Sequence, residues 1–474
     1  MKDSKLISVL KKTTNISFKH LGLMTESPYF NKKAELVELY NFLSKFHPVY
    51  SDEDITYEKA HNFIFPSQKF SKKEIGYLMS DMLKLRENLM VNEKLESKPV
   101  QVELYKLSAY NKLDLDKSFN KSLKDASKKI NDNTYKNASF YFDKYALYIE
   151  EDHFFSKKQK HIHDASMENA IEYLDLFYLT EKFRIACEIS SRKRIVTNDY
   201  EPEFVEELLD TIAGHSFEKE PAIAIYSTIL KGFYRDKEGL IDHLILLLDQ
   251  YNQLFPHEEV QIMFRQLVNY CARKLHSGEE HFCAKLFIIY KDMIKNGFVL
   301  DEFNNISPWT YMNIITIGIR SKELDWTEEF IHKFKNKLLE KFRDNAYNYN
   351  LAYFYFNVKK FTKAMELLNK VVFNDLYYIC ESKALLLRLY YVSNEVEAFY
   401  SLVDSFRIYI QRNKLMADKN KELYLNLIRF LNKLSKIVDR DKESFIKLKE
   451  KIKETKRVNN AAWLIDQIDA KLSK

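Results

Sequence analysis

Leu351-Ala352-Tyr353-Phe354-Tyr355 leads through a short polar break into Phe361-Thr362-Lys363-Ala364 and Leu368, and the layout returns at Leu385-Leu386-Leu387-Arg388-Leu389 with Ala398 and Leu402. Ala364 and Ala398 stand 34 positions apart, the length of two helices with their turns. On both sides of each break, apolar residues recur every three to four positions, the period of a helix with one buried face. A small residue where the second helix meets the first lets the two axes approach, whereas a large one pushes them apart. Such a pair cannot bury its apolar faces alone and must stack on neighbours.

The pattern recurs more loosely upstream. Leu174 and Phe177 precede Phe183 and Ala186, and Ala272 precedes His281 and Ala284. A twelve-residue offset links Leu174 with Ala186, Ala272 with Ala284, Ala352 with Ala364 and Leu386 with Ala398. From Met167 to about Arg412 the chain resembles the tetratricopeptide repeats. That resemblance implies an all-α fold, an α-solenoid of stacked antiparallel helix pairs. It further implies a concave groove lined by the first helix of each pair, in which a peptide or helix of another protein is held. In the best-defined units Asn348, Asn350 and Tyr353 are then the groove-facing residues. The chain departs from the family in three ways. The unit spacing is irregular, the proline after the second helix is mostly missing, and Leu386 stands where a small residue belongs. A generic solenoid of degenerate hairpins accounts equally well for the same residues.

Composition supports the helical reading. Glycine and proline together number 16 in 474 residues, far below usual usage, so folds rich in hairpins or phosphate-cradling loops are disfavoured. The 65 Phe and Tyr residues suit the gaps between packed helices. Cys187, Cys271, Cys283 and Cys380 lie far apart within helical patterns, which reads as free buried thiols in a reducing compartment. No secretory signal is evident between Met1 and His20, and no apolar run approaches the roughly 18 to 20 residues of a membrane span. The expectation is a cytoplasmic protein with no membrane partner.

Four segments are expected. Residues 1–95 form an N-terminal helical module, 96–133 a lysine-rich helical connector, 134–412 the repeats, and 413–474 basic capping helices. In the first, Pro28 and Pro48 bracket a helix from about Lys32 to Phe46, and the acidic cluster Asp52-Glu53-Asp54 introduces the next. Ser71 with Glu74 forms a capping box. Farther on, Pro202 suits the first position of a helix reaching Ile212. The turn Ser27-Pro28-Tyr29-Phe30-Asn31-Lys32 and the helix Tyr77-Leu78-Met79-Ser80-Asp81 resemble a family of bacterial helical proteins, over about 70 residues. That resemblance brings no activity with it.

No motif calls for catalysis, a cofactor or a metal. His153, His161 and His163 beside Glu150, Glu151, Asp152 and Asp164 form the densest ligand-like cluster, but it reads as a solvated inter-helix loop. His257-Glu258-Glu259 is followed by Gln261 where a zinc-protease helix needs histidine. Cys271 or Cys283 near His276 or His281 is a pairing that linear sequence cannot test. The protein is therefore expected to be a non-enzymatic scaffold or adaptor. Between Arg412 and Arg457, 15 basic residues face 7 acidic ones. Lys447, Lys449, Lys451, Lys453, Lys456 and Arg457 make a candidate patch for nucleic acid or an acidic partner. A solvated helix face accounts for the same residues and is preferred, as dipole compensation is for Arg192-Lys193-Arg194. The alternative function is nucleic-acid binding or peptide sensing through the N-terminal module or these basic helices.

Overall fold

The computed structural model describes residues 1–51, 53–158, 165–192, 200–235, 239–371 and 376–473. Among them every regular element is helical, and extended pairing is confined to isolated bridges of Ile306 with Leu300 and Leu338. The chain divides into two compact units, one of Met1–Arg184, Asp210–Ala224 and Gln253–Phe255, the other of Ile185–Leu209, Ile225–Asn252 and Pro256–Lys474.

The first unit opens with α1 (Lys5–Leu10), α2 (Asn15–Glu26), α3 (Ala34–Ser44), α4 (Tyr57–Ile64) and α5 (Lys72–Glu96). The first four all pack on the long α5, burying Leu6, Leu21, Leu39, Ile75 and Met82 in a shared core. Ser4, Thr14, Thr56 and Ser71 start α1, α2, α4 and α5 by accepting the backbone N–H three residues on, which satisfies a donor the helix cannot. Asp52 of the predicted acidic cluster lies outside the described residues. Next come α6 (Pro99–Lys112), α7 (Asp116–Asn131), α8 (Ala138–Lys158) and α9 (Ser166–Arg192). The predicted connector is thus a helix pair, α6 packed on α7.

Glu103 of α6 is 5% exposed and accepts from Ser122 at 2.6 Å, Lys129 at 2.7 Å and Lys106 at 3.2 Å. Burial alone pushes its carboxyl up, but the hydrogen bonds from Lys129, Ser122 and Lys106 outweigh it and hold the group at about 2 against 4.5. Because the folded value is depressed, this contribution to stability is present above 4.5 and drains away as pH falls towards 2. Glu103→Gln should therefore lower the melting temperature at neutral pH and flatten its acid limb, measured by circular dichroism. Parallel acid limbs for the two proteins would refute this.

After α10 (Val205–Thr211) and α11 (Pro221–Tyr234), the second unit continues with α12 (Leu240–Tyr251), α13 (His257–His276), α14 (His281–Lys295), α15 (Pro308–Arg320), α16 (Leu324–Phe334), α17 (Glu340–Asn357), α18 (Phe361–Leu368), α19 (Leu376–Val392), α20 (Val396–Arg412), α21 (Asp418–Leu434), α22 (Lys442–Glu454) and α23 (Ala461–Leu472). Pro202 does not open α10, because Phe204 has a positive φ of 62° and the helix begins after it. Pro221 and Pro308 do occupy first helical positions.

From α13 to α20, consecutive helices pack as pairs, and the second of each pair packs on the first of the next. The first helices α15, α17, α19 and α21 also touch in succession. Four turns within pairs share one geometry. Gly278, Lys322, Lys359 and Asn394 are left-handed, at φ 101°, 62°, 61° and 58°. In each the following N–H reaches back five residues, Glu279 to Lys274, Glu323 to Gly318, Lys360 to Tyr355 and Glu395 to Tyr390. This hydrogen bond closes the helix end and reverses the chain.

Close approach within pairs uses small residues, though not always the predicted ones. Ala352 and Ala364 are 0% exposed. Between α15 and α16 the contact falls to Gly318, where a Cβ would lie 2.2 Å from Thr327 Oγ1. Between α13 and α14 the buried small residues are Cys271 and Cys283, with Ala284 exposed and Ala272 half-buried. The expected register there is one residue late, and one residue turns a helix by about 100°. Leu174 is likewise exposed although Ala186 is buried, and Leu386 and Ala398 are half-buried.

Candidate binding groove

The second unit contains a groove of about 870 Å³ over α13, α15 and the start of α17. One wall is the 297–307 loop. Gly297, at φ 76°, leads out of α14. Asp301 Oδ1 accepts the N–H groups of Phe303 and Asn305 at 3.0 and 2.8 Å. Ile306 N–H donates to Lys337 O at 2.8 Å, and the Gln261 amide donates to Leu300 O. Ser307 then caps α15, and Tyr378 of α19 donates its hydroxyl to Pro308 O at 2.8 Å. The loop is thus pinned from α13 and from the turn before α17, and the first residue of α15, which follows it, from α19.

Tyr290, Met293, Phe298, Trp309, Phe342 and Tyr378 supply the apolar surface of the groove. Trp309 is 38% exposed, and its ring lies 4.9 Å from that of Tyr378. Burial pushes the Tyr290 phenol well above its usual range, so it stays protonated. Amides of Gln261, Asn269, Asn313 and Asn345 and the cations Arg265 and Lys341 complete the lining. Asn269 donates to Ser191 at 2.8 Å, and Arg265 stands 3.9 Å from Glu188. Lys341 Nζ lies over the Phe342 ring at 4.7 Å. The surface offers apolar contact and both donors and acceptors for a peptide backbone.

The predicted groove residues do not line it. On α17 the lining is Lys341, Phe342, Asn345 and Ala346. Asn348 is half-buried on another face. Asn350 is 0% exposed, with its amide donating to Ala346 O at 2.8 Å inside the core. Tyr353 follows Phe342, Ala346 and Tyr349 along one stripe, but in the second half of α17 where side chains from α19 and α23 fill the space. There Arg388, 3% exposed, stacks on Phe356 at 4.9 Å and Trp463 at 5.7 Å. Burial lowers the Arg388 guanidinium and raises the Tyr353 phenol, the latter opposed by the Arg388 charge. Trp463 also reaches Phe356 and Tyr391, both at 6.1 Å. Glu381 accepts from Tyr424 at 2.8 Å and Asn459 at 3.0 Å, and Asn426 donates to Arg457 O at 2.7 Å, which fastens the C-terminal segment in place.

The basic C-terminal residues are partly spent within the chain. Lys447 pairs with Glu443, Lys449 with Asp469 at 2.5 Å and Arg457 with Glu422 at 2.7 Å. Lys451, Lys453 and Lys456 are exposed, but Lys451 and Lys453 are two positions apart on α22 and point to different sides. Among the described residues no three His, Cys, Asp or Glu side chains gather to hold a metal. His161, His163, Asp164, Lys193, Arg194 and the His276 side chain lie outside them. All four cysteines are free and buried, and burial pushes the Cys271 thiol up to about 12, which keeps it an unreactive thiol. Among the described residues no helix is long and apolar enough to cross a membrane.

Sequence reasoning missed Trp309, Lys341 and Phe342. The one signal for Trp309 was its place immediately after the Ser307-Pro308 helix start, which puts it in a first turn beside a loop. No protein-family model matches the chain, and no curated protein or solved structure is significantly similar to it.

Proposed function

We propose that the second unit is a tetratricopeptide-like solenoid of stacked antiparallel helix pairs. In this reading it acts as a non-enzymatic scaffold or adaptor, and its groove takes a peptide or helix from another protein. The observation that carries this reading is the origin of most of the helical lining, because α13, α15, α17 and α19 are the first helices of consecutive pairs, with Tyr290 and Met293 of α14 the two exceptions. In a stacked array those helices form the concave side. The chemistry of the lining agrees, with aromatic rings to receive apolar side chains and amides to meet a backbone. Its one carboxylate, Asp301, is committed to loop hydrogen bonds, which favours binding over acid–base chemistry. The four buried thiols favour a reducing compartment, the cytoplasm.

A random peptide library displayed against the intact protein tests the reading. Selected peptides should shift the fluorescence of the wild-type protein, and the shift should vanish in Trp309→Phe. Trp309→Ala and Asn313→Ala should weaken binding by about tenfold or more, the range for a central interface residue. Melting temperature should change little for Asn313→Ala, whose side chain is exposed, and fall modestly for Trp309→Ala from the lost contact with Tyr378. Selected peptides that bind Trp309→Ala as tightly as the wild type, or a library that yields none, would refute the groove.

A further inference from the structure

The two sequence motifs of the N-terminal module meet in space. Lys33, directly after the Ser27–Lys32 turn, pairs with Asp81 of α5 at 2.6 Å. Asn31 locks the turn from inside, its amide donating to Thr25 O at 2.7 Å and Lys33 O at 2.8 Å while its Oδ1 accepts the Lys33 N–H at 2.8 Å. This fixed turn does not bury its aromatic residues. Tyr29 is 85% exposed and Phe30 44%, with Tyr77, one helical turn before Asp81, at 59%. The Tyr29 and Phe30 rings stand edge to face at 5.0 Å and 90°, so ring faces remain open. A chain seeking only stability gains nothing by ordering a turn that holds large apolar rings in water.

Cations are interleaved with the rings. On α5, Lys73, Tyr77 and Lys84 follow one face over about 16 Å, with Lys73 5.7 Å from the Tyr77 ring. Asp81 is shared between Lys33 and Lys84, the latter at 3.4 Å, and the Glu35 charge also acts on Lys33, so Lys33 itself is spent within the chain. Lys32 and Lys73 are exposed, with no carboxylate in ion-pair range among the described residues.

We infer that this face is a binding platform for single-stranded nucleic acid, with bases stacking on Tyr29, Phe30 and Tyr77 and phosphates meeting Lys32, Lys73 and Lys84. An apolar protein cleft receiving these rings would have to desolvate the lysines between them. A phosphodiester chain with unpaired bases presents a flat apolar surface and a negative charge at each step, and so matches both. Duplex bases are already stacked on one another and cannot use the rings. The inference is independent of the groove, which lies in the other unit.

The test uses the full chain and fluorescein-labelled oligo(dT) and oligo(U) of about 20 nucleotides, a length that exceeds a typical single-strand site. Fluorescence anisotropy should show saturable binding that weakens with salt, with a logarithmic slope of about −2 for three phosphate contacts. A hairpin duplex of similar length should bind at least about tenfold more weakly, because stacking is lost. Tyr29→Ala with Phe30→Ala should weaken single-strand binding by about tenfold or more, and Tyr29→Trp should retain it. Lys32→Glu with Lys73→Glu should also abolish it, whereas Lys451→Glu with Lys453→Glu should leave it intact. No binding of either oligonucleotide would overturn the inference. So would duplex binding of equal strength, or single-strand binding indifferent to loss of the two rings.

Discussion

Gly318→Leu should destabilise the protein by about 3 kcal/mol, the upper range for forcing volume into a packed interior. Gly318 lies in the last turn of α15, where any Cβ would meet Thr327 Oγ1 at 2.2 Å and Thr327 Cβ at 3.3 Å. Thr327 cannot step aside. It is 0% exposed, its β-branch restricts rotation, and its hydroxyl donates to Glu323 O at 2.6 Å. The Glu323 N–H in turn donates to Gly318 O, the bond that closes the α15–α16 turn. The clash therefore sits on the turn that reverses the chain. Gly318→Ala should cost less, because alanine adds only the Cβ where leucine forces three further carbons into the same space. Combining it with Thr327→Ala, which removes the nearest atom, should cost less than the two single changes together. Urea denaturation of the wild type and the four variants measures this, and a Gly318→Leu protein as stable as the wild type would show that the two helices do not approach as described.

Trp463→Ala should cost about 2 to 3 kcal/mol, somewhat below the range for a fully buried tryptophan because Trp463 is only partly buried. The change removes a ring that touches Phe356 of α17 and Tyr391 of α19, and it uncovers one side of Arg388. A cation held between two rings in a dry site loses about 2 kcal/mol of attraction when one leaves, but it regains water. Trp463→Phe keeps a ring there and should cost less than half as much. Hydrogen exchange should rise in α23 and the second half of α19 in the alanine variant, ahead of the rest of the unit. Unchanged exchange there would mean that α23 is held by α21 and α22 alone.

Helix existence was legible because apolar period and punctuation agree. Ser71, Pro221 and Pro308 begin helices where their chemistry says they must, and scarce glycine and proline leave little room for anything else. Faces were less legible. In Glu340–Asn357 tyrosines, phenylalanines and asparagines are distributed around the whole circumference, so the apolar stripe has no sharp edge. Which side meets the groove is decided by neighbours far along the chain, such as Arg388 and Trp463. Cys271-Ala272 and Cys283-Ala284 present a related ambiguity. Both members of each pair are small, and only packing selects the cysteines. Trp309 was invisible as a groove residue because its composition reads as core. The charge argument for the C-terminal helices weakened for a different reason. Glu422, Glu443 and Asp469 are few, but folding brings each against a cation.

The stopper formed by Arg388 and Trp463 also works as a ruler. It closes the surface over the second half of α17, so a partner segment held as proposed above would lie across α13, α15 and the first half of α17. An extended strand advances about 3.3 Å per residue, so each added residue would bring such a segment closer to that barrier. A longer one would have to turn aside before it, and partners would then be sorted by length before any side chain is read.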